Sequence, residues 1–208
     1  MPAEANPSDL PADARIMEAA TTFLRRYGPR RATVVAIAEA AGMSHANVYR
    51  YFPSKAALIE EVTAAWLKPI EAEVRVVAES PDPAPDKLER ILFAIQRAYR
   101  DKLERDPQLF RILAEAAQAD APVARKHRGR LQGAVQRTIE EGFAQGNFRP
   151  VDLQRALTLV FDVAHRFVHP AAVILDSKTA RSALNTRAGR VTRLLLQELR
   201  AGRGAPLD

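Results

Sequence analysis

ATVVAIAEAAGMSHANVYRYFPSKAAL, residues 32–58, decides the fold of this 208-residue chain. Thr33 is placed to cap a short helix in which Val34, Ile37, Ala38 and Ala41 share one face. Gly42 stops that helix. Ser44 opens a second one, running through Val48 to about Phe52. Pro53 breaks the chain again, and Ser54 is an N-cap for a long helix through Leu58, Val62 and Trp66. Two short helices joined by Gly42-Met43 make a helix-turn-helix pattern, whose second helix suits a DNA major groove. Ile37, Ala38, Val48 and Phe52 point inward. Ser44, His45, Asn47, Tyr49, Arg50 and Tyr51 point outward, and each can hydrogen-bond a base edge or a phosphate. The plainer alternative is a packed three-helix unit with a solvated polar face. Charge argues against it: Arg25, Arg26, Arg30, Arg31, Arg50 and Lys55 face only Glu39, so +5 of the chain's +6 lies between Phe23 and Lys55.

Outward from this stretch, nearly every segment repeats at helical spacing and none alternates with period two. Upstream, Ile16, Ala20, Phe23 and Tyr27 form one face of a first helix, capped by Asp13 or Asp9 and ended by Gly28-Pro29. Downstream, Pro69 removes a backbone donor inside the fourth helix and predicts a kink or break there. Ser80 to Pro85 reads as a stiff linker. Leu88 to Tyr99, Leu109 to Ala119, and Pro122 to Phe143 give three further helices, the last closed by Gly146 and Pro150. Two more carry the stripes Leu153/Leu157/Val160/Ala164/Phe167 and Leu184/Ala188/Val191/Leu195. The expectation is an all-α protein of about nine helices, a three-helix unit followed by a helical bundle. Its divisions are a flexible arm 1–11, a helix-turn-helix unit 12–53, a connecting helix 54–79, a ligand-binding and dimerisation unit 85–201 and a flexible tail 202–208.

Composition narrows the chemistry. The chain is 47% hydrophobic and 27% charged, ordinary for a globular protein. It has no cysteine, which excludes disulfides, thiolate catalysis and Cys-ligated zinc. The first residues carry neither a basic nor an apolar region of a signal peptide, and no uninterrupted apolar run approaches the ~20 residues of a membrane helix. The expected address is the cytoplasm. There is no phosphate loop, G-x-G-x-x-G, H-E-x-x-H or G-x-S-x-G motif, so neither an enzyme nor a cofactor is expected.

Three elements of the opening stretch match a known pattern: Ile37-Ala38 before Gly42, Tyr49 before Phe52, and Ser54-Lys55 before Leu58. Over about residues 12–60 the chain resembles the tetracycline-repressor (TetR) family of bacterial transcription regulators. The stretch 146–152 also looks like that family's approach to its eighth helix. The resemblance implies double-stranded DNA with a palindromic operator as partner. Thr33, Tyr49, Tyr51 and Lys55 would hold phosphates. His45, Ala46 and Asn47 would read bases, with Arg50 able to do either and Ser44 a cap that touches phosphate. Val35 departs from the family, which often places a polar residue there.

The resemblance further implies a homodimer packed through the last two helices, at Leu153, Leu157, Val160, Ala164, Leu184, Ala188, Val191 and Leu195. It implies a small-molecule effector held in the bundle. Trp66, Phe93, Tyr99, Phe110 and Phe161, with Gln96, Asp162 and His165, are the candidates for a mostly apolar cavity, and plain core is the competing reading for each. The basic runs Arg125-Lys126-His127-Arg128 and Arg181 to Arg200 read as solvated faces. One rival reading is a DNA-binding regulator without a small-molecule effector; another takes Asp162, His165 and His169 as metal ligands on one helix face, giving a metal-dependent helical enzyme. His-Pro at a helix break is the ordinary reading of the same residues.

Overall fold

Side-chain caps set the first boundaries. In the computed structural model, which describes residues 10–202, the Thr33 hydroxyl accepts from Ala36 N at 3.2 Å, Ser44 from Asn47 N at 3.2 Å and Ser54 from Ala57 N at 3.0 Å. They start α2 (Val34–Ala40), α3 (His45–Tyr51) and α4 (Lys55–Ala78). Before them lies α1 (Ala12–Arg31); after them come α5 (Ala84–Arg105), α6 (Pro107–Gln118), α7 (Pro122–Ala144), α8 (Leu153–Val168), α9 (Pro170–Leu175) and α10 (Arg181–Ala201). Among the described residues there is no strand. The nine expected helices are all present, and the six-residue α9 adds a short tenth. The expected arm and tail lie outside the described residues, apart from Leu10, Pro11 and Gly202.

Several local expectations shift. Pro11, not Asp13, is the N-cap residue of α1, and it makes no side-chain cap bond; Asp9 is outside the described residues. Gly28 adopts φ 71°, ψ 177° and breaks α1, leaving one further turn through Pro29 to Arg31. A side chain resists that backbone, so the glycine is what permits the break. The buried stripe of α1 is Ile16, Ala20 and Leu24, while Tyr27 is exposed. No break occurs at Pro69: α4 runs unbroken from Lys55 to Ala78. Pro69 and Ala65 are both exposed, so water can serve the carbonyl that the proline leaves without a partner.

One continuous cluster of buried side chains runs from Ile16 through Ile37, Val48, Leu67, Ile91 and Val135 to Leu199. α1 packs against α2, α4 and α6, and α4 packs against α1, α5 and α7. The helix-turn-helix unit is therefore seated on the bundle through α1 and α4. Buried Lys87 closes the end of α4 by donating to the carbonyls of Ala78 (3.2 Å) and Ser80 (3.1 Å) and pairing with Glu141. The stretch Leu153–Leu175 has a mean hydropathy of 1.3, apolar enough on average to cross a membrane. It is two helices, α8 and α9, broken at His169-Pro170, where proline supplies no backbone donor.

Candidate DNA interface and effector cavity

The turn between α2 and α3 depends on Gly42, whose φ of 66° lies in the left-handed region. The Gly42 and Met43 amides donate back to Glu39 and Ala38 at 3.0 Å each, closing α2 so that α3 departs steeply. Val48, almost fully buried, pins the inner side of α3. His45, Ala46, Tyr49 and Arg50, spaced three and four apart, make its open face, with Tyr51 exposed beside it. The rings of His45 and Tyr49 meet edge to face at 4.8 Å. Asn47 is half-buried, nearer the packed side than the sequence suggested. Thr33 and Ser44 are exposed at the starts of α2 and α3, and Lys55 is the first residue of α4.

Arg25 is a correction to the charge count. Its Nε lies 3.0 Å from Asp106 Oδ1, so it serves as a tie to the bundle. Asp106 Oδ2 also accepts from Trp66 Nε1 at 2.8 Å. One carboxylate thus joins α1, α4 and the α5–α6 turn.

The effector candidates separate into two cavities and a piece of core. The first cavity, about 150 Å³, lies between α5, α6, α7 and α8. Tyr99, Phe161, Asp162 and His165 line it, with Leu131 and His127 opposite. Phe93 and Gln96 instead line a second cleft, bounded by α5, α8, α9 and the start of α10. Trp66 and Phe110 line neither. Trp66 packs edge-on to Phe110 (6.4 Å), which packs edge-on to Tyr99 (5.7 Å). The Lys102 amine sits 4.1 Å over the indole and donates to the Trp66 carbonyl at 2.6 Å. Burial, opposed in part by the Asp106 carboxylate, lowers this amine to about 8.

His127 is the residue the sequence reading missed. Read as part of a solvated basic run, it is 2% exposed. Its Nε2 is 2.9 Å from the Tyr99 hydroxyl, and its Nδ1 is 2.8 Å from Glu71 Oε1 on α4. Arg130 donates to the other Glu71 oxygen at 2.7 Å. With the Nδ1 proton toward the carboxylate, Nε2 accepts from the phenol and the chain is satisfied. Burial pushes the Glu71 carboxyl up, but the hydrogen bond from His127, and then the charge and hydrogen bond of Arg130, outweigh it and hold the group below the ordinary range. Burial, and then the Glu71 charge, push the Tyr99 phenol far up, which keeps it a donor. The missed signal was spacing: Ala124, His127, Leu131 and Ala134 step 3, 4, 3 along one buried stripe.

Two further groups rearrange. The His165 and His169 rings stack at 4.6 Å, but His169 has left α8 to become the N-cap residue of α9. Among the described residues no three His, Cys, Asp or Glu side chains gather as a metal-binding cluster. Burial, and then the charges of His165 and Arg128, lower the His169 imidazole from its usual value and favour its neutral form. Of the expected dimer residues, Val160, Ala164, Leu184, Ala188 and Leu195 are buried within this chain; Leu153, Leu157 and Val191 remain partly open. Arg181, expected to be solvated, pairs with Asp101 (2.7 Å) and Glu104 (2.6 Å).

A helix-turn-helix unit joined by one helix to an all-helical bundle defines a DNA-binding regulator of transcription. The comparisons agree. Residues 16–62 match the model of the bacterial regulatory proteins of the tetR family, and residues 84–188 match the tetracyclin repressor-like C-terminal domain. The HTH-type transcriptional regulator RutR of Escherichia coli (strain K12) is 28% identical over 203 residues, covering 89% of each chain. The solved structure of a putative transcriptional regulator from Pseudomonas aeruginosa PAO1 superposes with a TM-score of 0.71 at 17% identity, covering 96% of this chain and 97% of that one. The regulator FadR from Bacillus subtilis, solved in complex with stearoyl-CoA, gives 0.64 at 15% identity, covering 91% and 98%. This chain belongs to the TetR family. Regulators of this family bind DNA and are not enzymes.

Proposed function

We propose that this chain is a homodimeric repressor that leaves a palindromic operator when a small, mostly apolar molecule enters the cavity behind Tyr99. One observation carries the reading. The hydrogen-bonded chain from Tyr99 through His127 ends on Glu71, and Glu71 belongs to α4, the helix that begins with Lys55 at the DNA end. A molecule that displaces the Tyr99–His127 pair acts on the helix that holds the reading unit. It must bind the DNA-free arrangement more tightly, since equal affinity shifts nothing.

Residues 12–53 are the reading unit, 54–79 the connecting helix, and 85–201 the effector and dimer unit. Thr33, Tyr49, Tyr51 and Lys55 hold phosphates, Ser44 caps α3 and touches one, and His45, Ala46, Asn47 and Arg50 face the bases. Two copies pair through α8 and α10. With the Leu195 stripe buried in its own chain, the partner covers Val191 and exposed Leu194 on α10 and half-buried Leu159 and Val163 on α8. Such a protein works in the cytoplasm of a bacterial cell, where the DNA is.

The FadR neighbour is solved with stearoyl-CoA. The cavity here is about 150 Å³, and a cavity of that volume admits roughly one benzene ring. Size therefore favours a compact effector. Binding selection on random duplexes yields the operator, and a screen of compact aromatic molecules for release of that duplex tests the reading. The expected hit loses affinity about as much in the presence of operator as the operator loses in its presence. A hit that released DNA without this reciprocity would refute the scheme.

A further inference from the structure

The second cleft, about 240 Å³ between α5, α8, α9 and the start of α10, is built differently from the cavity behind Tyr99. Phe93, Phe167, Val173 and Leu184 give it apolar walls. Its end is the turn after α9, fixed by Arg100, which donates to the carbonyls of Asp176 (2.8 Å), Ser177 (2.8 Å) and Thr179 (3.1 Å). Asp176 is 5% exposed, and its Oδ1 takes Arg166 at 2.6 Å. Among the described residues its Oδ2 is buried and has no partner. Gln96, 8% exposed, donates to Asn185 Oδ1 at 3.3 Å, and its Oε1 is likewise buried with no partner. A polar atom taken out of water without a hydrogen bond is costly, and two acceptors in one apolar cleft point to a donor that belongs there.

Charge restricts what that donor can be. The four guanidiniums lining the cleft are all engaged: Arg97 with Glu73, Arg100 with Glu104 and the turn carbonyls, Arg166 with Asp176, Arg181 with Asp101 and Glu104. No cation is left over for an anionic ligand. The one carboxylate lining the cleft is already paired with Arg166, and a ligand cation would sit among four arginines.

We propose that this cleft is a second ligand site, separate from the effector cavity, for a compact neutral molecule with an aromatic or aliphatic body and an O–H or N–H donor. The donor meets Asp176 Oδ2, and the body lies between Phe93, Phe167 and Leu184. On α10 the proposed partner-facing side borders the cleft: Leu184 of its wall lies seven residues, nearly two full turns, from Val191.

The test is calorimetry on the full chain carrying Ala117→Phe, which fills the cavity behind Tyr99, with phenol, toluene, benzoate and benzylamine. Phenol binds, and the other three bind about tenfold more weakly or not at all, the difference one hydrogen bond makes. Asp176→Asn and Gln96→Met, each added to that chain and checked for helicity by circular dichroism, weaken phenol severalfold. Should Ala117→Phe or both cleft variants fail to fold, NMR shifts in the wild type decide, with changes expected at Phe93, Phe167 and Leu184. The proposal is overturned if phenol does not bind, if toluene, benzoate or benzylamine matches it, if both cleft variants fold and leave it unchanged, or if the shifts fall on Leu131 and Phe161 instead. Operator release plays no part in these readings, so this site stands or falls apart from the repressor scheme.

Discussion

The imidazole of His127 on α7 lies 2.8 Å from a carboxylate oxygen of Glu71 on α4, and both side chains are closed off from solvent. α7 lines the cavity and α4 begins with Lys55, so in the proposed scheme this pair is where a change in one is felt in the other. His127→Phe puts a somewhat larger ring in the same place and strands the Tyr99 hydroxyl and one oxygen of the Glu71 carboxylate, the other staying with Arg130. It should cost about 2–4 kcal/mol of stability and reduce the linkage between effector and operator more than either affinity alone. Denaturant unfolding and paired titrations measure the two effects.

The same pair gives an acid limit. The Glu71 carboxyl is held below its ordinary value of 4.5 in the folded chain. Its contribution is present in full above that value and is lost as pH falls through the lower folded one. Thermal unfolding should therefore show a drop in Tm below about pH 4.5 that is shallower in Glu71→Gln. Equal slopes in both proteins would remove Glu71 from the account.

Trp66 is the only tryptophan, and the Lys102 amine lies over its ring. With the amine lowered to about 8, the cation over the indole is present at neutral pH and discharges as pH rises through that value. Trp66 emission should titrate with a midpoint near 8, and Lys102→Met should abolish the transition. A flat profile in the wild type would refute the arrangement.

What could be read ahead of the structure was local. Thr33, Ser44 and Ser54 were legible as caps because each bonds an amide three residues on, and Gly42 because the turn needs its backbone. What could not be read depends on which helix lies opposite. Phe110 and Phe161 look alike in a sequence, yet one is sealed in the core behind Tyr99 and the other lines a cavity. Arg25 looked like a free cation until Asp106, far along the chain, met it. His127 lay on a legible apolar stripe but was masked by the charges on either side of it.

At the DNA end, Tyr49→Phe and Lys55→Ala should weaken binding to every duplex, and Lys55→Ala, which removes a cation, should also flatten the salt dependence. His45→Ala and Asn47→Ala should relax preference at particular base pairs, by about 1–3 kcal/mol for a bidentate contact. Arg25→Ala should leave the salt dependence nearly unchanged and lower stability instead, because its partner is Asp106. Binding isotherms at several salt concentrations separate the three classes, and a common slope change for all five variants would show the assignment to be wrong.

Leu194 and Leu195 are neighbours with opposite duties. Leu195 is 2% exposed and belongs to the chain's own core, while Leu194, about 100° around α10 from it, is 62% exposed. A charge at Leu195 is buried without a partner and should unfold the bundle. A charge at Leu194 meets only water in the single chain, but it is trapped if a second copy covers that face. Leu194→Glu should therefore change the stability of the isolated chain by less than about 1 kcal/mol, while light scattering falls from about twice 23.0 kDa to a single chain. Affinity for a palindrome should fall with it, since one short recognition helix reads too few base pairs alone. If Leu194→Glu stays dimeric and binds the palindrome as the wild type does, the two copies do not meet through this face of α10.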